Sequence, residues 1–302
     1  MSFSNDVRHE ICLSVNDKDR RFACLYGMLL FCRTLSCEHI CFQSESRVSA
    51  ELFCSLFEAV FRKKLSITDH TRKNGIVLCS CDIDSESAEA VFQKYRLSDK
   101  ERLIDSEIIA TNSLGVFTAG VFLACGSVND PNKEYHLEFA CPEEKLAHQL
   151  ATLLGDIGVT AKTVVRRGQH IVYIKGSESI EDTLTFIGAS QCTLELMNTK
   201  IYKDIRNKAN RIANCDAANI DKVVKAAMKQ IEDINLIDRA VGLDTLSDEL
   251  REVAQLRLDN IDMSLQEIGE TLSEPISRSG VNHRFKKLAK LADEIRGGSY
   301  EK

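Results

Sequence analysis

The residues best equipped for chemistry lie near the C-terminal end of the chain. Between Pro275 and Ala292 the sequence carries Arg278, Arg284, Lys286, Lys287 and Lys290 and no acidic side chain, although the whole chain of 302 residues has a formal net charge of −6. Interleaved with these cations are Ser277, Ser279, Asn282 and His283, which can donate and accept hydrogen bonds. That combination suits a nucleic-acid duplex, because cationic side chains neutralise phosphates while hydroxyls, amides and imidazoles reach base edges in a major groove. A second concentration, Cys37-Glu38-His39-Ile40-Cys41 with Cys79 and Cys81 as neighbours, offers ligand types that zinc accepts. It contains no C-x-x-C pair, and alternate residues of a strand share a face in any case. Thiols packed in an apolar interior account for it, so neither a metal nor another cofactor is expected.

The elements that must hold the basic segment can be read outward from it. Ser264-Leu265-Gln266-Glu267 forms a capping box, with Ser264 and Glu267 able to satisfy each other's backbone amides, so a helix starts there. It stops near Leu272, because Pro275 disfavours helical geometry at the residue before it. In the next segment, Arg278 to Arg296, Val281, Phe285, Leu288, Ala292 and Ile295 recur at helical spacing and define a core-facing stripe. Ser279, His283, Lys286 and Lys290 project away from that stripe, with Asn282 and Lys287 on its flanks. Arg284 falls nearer the stripe, and His283 has the alternative of packing neutral against Phe285. Preceded by an apolar-periodic helix from Leu246 to Arg257, the three segments predict a helix-turn-helix over residues 241–302. Ser279, Asn282, His283 and Lys286 are the expected base readers; Arg278, Arg284, Lys287 and Lys290 are the expected phosphate contacts.

Upstream the periodicity changes. Asp19 to Leu35 reads as a helix, Ser36 to Ser44 as a strand and Arg47 to Lys64 as a helix; Leu65 to Arg72 and Gly75 to Ile83 form a hairpin around Lys73-Asn74-Gly75, and Ser85 to Tyr95 is a helix. The order recurs with a helix at Leu114 to Cys125, a strand at Glu134 to Cys141 and a helix at Glu143 to Asp156. A hairpin of Val159 to Val165 and His170 to Lys175, turning through Arg166-Arg167-Gly168, and a helix at Ile180 to Ile187 complete it. The halves, residues 1–97 and 110–193, repeat at the 93-residue spacing between Gly27 and Gly120, which predicts a duplicated, pseudo-two-fold α+β domain over 1–193. Residues 194–240 lack strand signals and read as a helical linker.

Met1 to Glu10 shows no basic-then-apolar leader, and no apolar run approaches the roughly 18 residues of a membrane span, so a cytoplasmic protein away from the membrane is expected. The 12 cysteines, scattered through a chain without an export signal, are read as reduced thiols.

The run from Ser264 to Leu291, above all Ser277 to Arg284, resembles the C-terminal helix-turn-helix of WhiA proteins. Arg211 to Asn219 resembles that family's linker, and Ala124 to Pro131 with Tyr135 to Phe139 resembles its second N-terminal unit. The likeness spans essentially the whole chain. WhiA N-terminal domains are in turn similar to LAGLIDADG homing endonucleases, and Ala119 to Gly126 lines up with the A-G-L-I-D-A-D-G part of that motif. Leu25 to Arg33 is its weaker counterpart, and a glycine there more often marks close helix packing. In those nucleases the last Asp of each motif binds a divalent cation; here Cys32 and Cys125 stand at those positions. A thiol is a poor ligand for a hard cation, Arg33 adds repulsion if it points inward, and Asp130 and Glu134 lie beyond the helix, so the resemblance implies lost cleavage.

The resemblance further implies a nucleoid-associated, sequence-specific transcriptional regulator of double-stranded DNA, involved in cell division and chromosome segregation and, in some relatives, sporulation. Two alternatives stay open: a protein-binding platform acting with RNA polymerase or another regulator, and a residual metal-dependent endonuclease. Arg166 and Arg167 are candidates for a secondary DNA contact through the sheet face.

Overall fold

The computed structural model describes residues 2–15, 17–72, 75–109 and 111–298. The chain forms two units, 1–203 and 204–302.

The first unit opens with a helix the periodicity did not disclose, α1 (Phe3–Ser14). Its three buried residues, Phe3, Val7 and Ile11, recur every fourth position, a thin stripe among polar neighbours. Then follow α2 (Lys18–Leu30), β1 (Thr34–Leu35), β2 (Ile40–Ser44), α3 (Arg47–Phe61), β3 (Ile67–Thr71), β4 (Val77–Ile83) and α4 (Ser85–Lys94). The same αββαββα order returns as α5 (Leu114–Cys125), β5 (Gly126–Val128), β6 (Leu137–Cys141), α6 (Glu144–Asp156), β7 (Lys162–Arg166), β8 (Gln169–Ile174) and α7 (Ser177–Phe186). Each half builds a four-stranded antiparallel sheet, ordered β1-β2-β4-β3 and β5-β6-β8-β7. The predicted duplicated α+β domain is therefore present.

Several element ends differ from the sequence reading. The helix expected to reach Leu35 stops at Leu30, and Thr34–Leu35 pairs instead with Cys41 and Ile40. Ala23 to Leu30 are all buried, so no change of periodicity marks the stop. The strand expected from Ser36 begins only at Ile40, because Ser36 and His39 close a turn through a 3.1 Å backbone hydrogen bond. The Arg47 helix ends at Phe61, where Arg62 adopts a left-handed φ of 61°. Lys73 and Asn74 of the expected first hairpin turn lie outside the described residues; Gly75 has a φ of 80°. In the second hairpin Arg166 pairs with Gln169, leaving Arg167 and Gly168 as a two-residue turn with φ of 51° and 79°. Positive φ at both central positions matches the twist of the flanking strands.

The two motif helices, α2 and α5, cross at the centre of this unit. A Cβ on Gly27 would lie 2.3 Å from the Phe117 carbonyl oxygen, and one on Gly120 would lie 2.1 Å from that of Cys24. Only glycine permits so close an approach of two backbones. Around this crossing lies one continuous apolar core in which Phe42 and Phe53 stack at 4.5 Å. Full burial of such a side chain contributes roughly 1.5–3 kcal/mol.

Helix α8 (Ser190–Val241) supplies residues to both units. The second unit continues with α9 (Asp248–Asp259), α10 (Leu265–Thr271) and α11 (Arg278–Arg296). Ile234 and Ile237 of α8 join Val253, Ile268, Val281, Phe285 and Leu288 in its separate core. Among the described residues, no helix is long and apolar enough to cross a membrane.

Candidate nucleic-acid interface

Helix α10 begins where the capping box predicts. Ser264 Oγ accepts from the Glu267 amide at 3.2 Å, and Glu267 Oε2 accepts from the Ser264 amide at 2.7 Å. The helix lasts two turns and stops where Leu272 turns extended, and Pro275 then holds Glu274 out of helical geometry. The chain then doubles back so closely that the Ile276 amide donates to the Gly269 carbonyl at 3.0 Å. A Cβ on Gly269 would lie 2.4 Å from the Ile276 carbonyl oxygen, so this glycine sets the spacing between α10 and α11.

Ser277 is the N-cap of α11: its Oγ accepts from the Gly280 amide at 3.3 Å and lies 2.8 Å from Ser279 Oγ. Val281, Phe285, Leu288 and Ala292 are buried, as the stripe predicts, with Ile295 partly buried. Ser279, Asn282, His283, Lys286, Lys287 and Lys290 are all exposed on the side turned away from the stripe, and Arg278 is exposed at the first position of the helix. The packing of His283 against Phe285 is thus not adopted. Lys290 is loosely paired with Glu294 at 3.8 Å and keeps 81% of its side chain exposed. Arg284 stands apart: only 14% exposed, it reaches Glu249 of α9 at 3.5 Å.

Two residues that sequence reasoning passed over complete this surface. Lys222 of α8 lines a cleft of about 390 Å³ together with Gln266 and Arg278, and neither Lys222 nor Arg278 has an ion-pair partner among the described residues. Arg257, only 2% exposed, lies beneath it. Its guanidinium donates to the Met263 carbonyl at 2.6 Å, the Ile261 carbonyl at 3.2 Å and Gln230 Oε1 at 3.0 Å. Burial makes this guanidinium somewhat less basic than usual. No local pattern distinguishes Arg257 from a surface arginine; the sign lies in the Ile261 and Met263 carbonyls, which the turn after α9 leaves without helical partners.

In the first unit, Cys32 lies just beyond α2, buried, its thiol 3.0 Å from the Thr34 carbonyl. Burial pushes that thiol up to about 12, against the opposing pull of Arg102. Cys125 ends α5 with Sγ 3.4 Å from the Val121 carbonyl, and burial beside Cys141 raises it well above the usual thiol range. Both motif helices end against a guanidinium. Arg102 donates to the Cys32 carbonyl and Arg8 to the Gly126 carbonyl, each at 2.6 Å. Cations there complement the negative ends of the helix dipoles. Cys79 and Cys81 are buried on β4, and among the described residues no three His, Cys, Asp or Glu side chains converge as metal ligands. Arg166 and Arg167 sit at the exposed second hairpin, Arg166 3.4 Å from Glu138.

Comparison with known proteins places this arrangement. Residues 209–292 match the WhiA C-terminal HTH domain, and residues 114–206 match the WhiA LAGLIDADG-like domain. A protein named probable cell division protein WhiA from Clostridium perfringens (strain 13 / Type A) is 37% identical over 320 residues, covering 99% of this chain and 100% of the relative. This chain belongs to the WhiA family.

A WhiA relative from Staphylococcus carnosus (strain TM300) is likewise 37% identical over 318 residues, covering 99% of each chain. The crystal structure of full-length WhiA from Thermatoga maritima shares the fold, with a TM-score of 0.59 at 24% identity over 97% of this chain and 99% of that one. The fold class is accordingly a LAGLIDADG-like α+β domain followed by a helical region with a helix-turn-helix. The family-like segments fall inside the matched regions, Arg211–Asn219 and Ser264–Leu291 in the WhiA helix-turn-helix match and Ala124–Phe139 in the other.

Proposed function

We propose that this WhiA-family chain is a sequence-specific, DNA-binding transcriptional regulator, with α11 as the helix that enters the major groove. The observation that carries this reading is the side of α11 turned away from its apolar stripe, where Ser279, Asn282, His283, Lys286, Lys287 and Lys290 are exposed, with Arg278 exposed at the helix start and no carboxylate before Asp293. Ser279, Asn282, His283 and Lys286 reach base edges, while Arg278, Lys287 and Lys290 contact phosphates, joined by Lys222. Ser277 acts chiefly by capping α11, and Arg284 by joining α11 to α9. Arg166 and Arg167 are the secondary contact.

The regulated process is cell division, in keeping with the name of the Clostridium perfringens protein, and extends to chromosome segregation and, in some relatives, sporulation. The protein works on the nucleoid in the cytoplasm. It is not an enzyme: where the nuclease motif needs carboxylates, Cys32 and Cys125 offer neutral thiols, and guanidinium groups close both helix ends.

Selection of fragments from sheared genomic DNA by the full chain, with magnesium present, tests the proposal. A recurrent site should be enriched by the natural protein, not by a variant carrying Arg278→Ala and Lys286→Ala, and recovered uncut. Enrichment unaltered by the double substitution, or cleaved product, would overturn it.

A further inference from the structure

The first unit holds a cavity of about 1010 Å³ whose charge runs against that of the whole chain. It is lined from both halves of the duplication. Arg8 comes from α1, Arg33 from the link between α2 and β1, Gln43 from β2, Arg72 from the first hairpin and Gln169 from the second, and the C-terminal residues of α5 form another part of the wall. Its one lining carboxylate among the described residues, Glu45, is already paired with Arg72 at 3.1 Å. Arg33 is exposed to the cavity and has no ion-pair partner among the described residues. Arg8 is fixed in place by its 2.6 Å bond to the Gly126 carbonyl and lies 5.6 Å over the Phe122 ring.

Three guanidinium groups against one carboxylate leave a net positive lining that repels a divalent cation and attracts an anion, and Arg33, whose planar fork has no partner among the described residues, can match phosphate oxygens in pairs. The volume is at the upper end of the roughly 300–1,000 Å³ of small-ligand sites, too large for a lone inorganic anion. Gln43 and Gln169 offer paired donors and acceptors for a heterocyclic base. We propose that this cavity binds the phosphates of a nucleoside polyphosphate, making the duplicated domain a ligand-sensing module. The proposal is independent of the reading of α11. The same phosphate chemistry could be met by a DNA backbone, and the experiment separates the two sources.

The test is calorimetric titration of the full chain with ATP, with tripolyphosphate and with a short duplex. It uses the natural protein, an Arg33→Ala variant, and an Arg278→Ala, Lys286→Ala variant that silences the helix-turn-helix. Arg33 is exposed, so its replacement leaves the core intact; Gln169→Ala serves as a second variant on the other half. ATP and tripolyphosphate should bind the natural and silenced proteins equally, and Arg33→Ala should weaken both ligands tenfold or more. Gln169→Ala should weaken ATP while sparing tripolyphosphate. Absence of ATP and tripolyphosphate binding overturns the proposal. So does binding indifferent to Arg33, and so does a silenced protein that holds the duplex through Arg33 yet ignores ATP, which assigns the cavity to DNA.

Discussion

The Arg257 guanidinium lies 5.4 Å from the centroid of the Phe285 ring, buried between α9 and α11. Stacked on the ring on one side and bonded to the carbonyls of Ile261 and Met263 on the other, it ties the turn before α10 to the core-facing stripe of α11. Replacing Arg257 with Ala removes those part-buried bonds, the bond to Gln230 and the ring contact, and leaves a void in the core of the second unit. The expected loss is about 2–4 kcal/mol of stability in the second unit, read by chemical denaturation. Arg257→Lys should recover little, since one ammonium cannot span three acceptors.

Gly27→Ala and Gly120→Ala should each destabilise the first unit by more than about 3 kcal/mol, because the added methyl meets backbone oxygen at 2.3 and 2.1 Å. Gly155 in α6 is the internal control. Nothing lies within 4 Å of its added Cβ, so Gly155→Ala should stabilise by up to about 1 kcal/mol. Thermal melting of the three variants distinguishes a crossing that requires glycine from a general intolerance of change.

Ser264→Ala removes one arm of the capping box and should cost about 1 kcal/mol. Ser277→Ala should cost a similar amount, and by loosening the first turn of α11 it should weaken binding to all DNA sequences alike rather than relax one base position. Denaturation midpoints beside affinities for a matched and a mismatched duplex check both statements.

Burial raises Cys12, Cys32 and Cys192 to about 12, from a usual thiol value of about 8.5. A group whose folded value is raised stabilises the fold fully below its unfolded value, and the contribution is lost as pH rises towards the folded one. Stability should therefore hold through neutral pH and fall as pH climbs from about 9 towards 12. In alkylation of the native protein, Cys215, the exposed cysteine, should react first, and Cys32 only after unfolding.

Much of this structure was legible in the sequence where one physical signal dominated. The α11 stripe stands out because its two faces differ sharply in polarity, and the box at Ser264 and Glu267 marks its helix start without reference to anything distant. Legibility failed where the deciding partner lies far along the chain. The burial of Arg257 depends on Phe285 and Gln230, and the membership of Lys222 in the α11 surface depends on how α8 packs through Ile234 and Ile237. Helix α1 was hidden by its thin stripe of Phe3, Val7 and Ile11, and the end of α2 by a run buried on every side. Arg284 shows the limit of a helical wheel: its angle is readable from sequence, its ion pair with Glu249 is not.

The most direct test of the central claim is the salt dependence of binding to a selected duplex, measured for the natural chain, for Arg278→Ala, Lys286→Ala and for Arg284→Ala. Each lost phosphate contact should lower the log–log salt slope by about 0.9. The first variant should therefore bind more weakly with a flatter slope, while Arg284→Ala, whose side chain faces α9, should keep the natural slope. Unchanged slopes and affinity in the first variant would contradict the assignment of α11 as the DNA-reading helix.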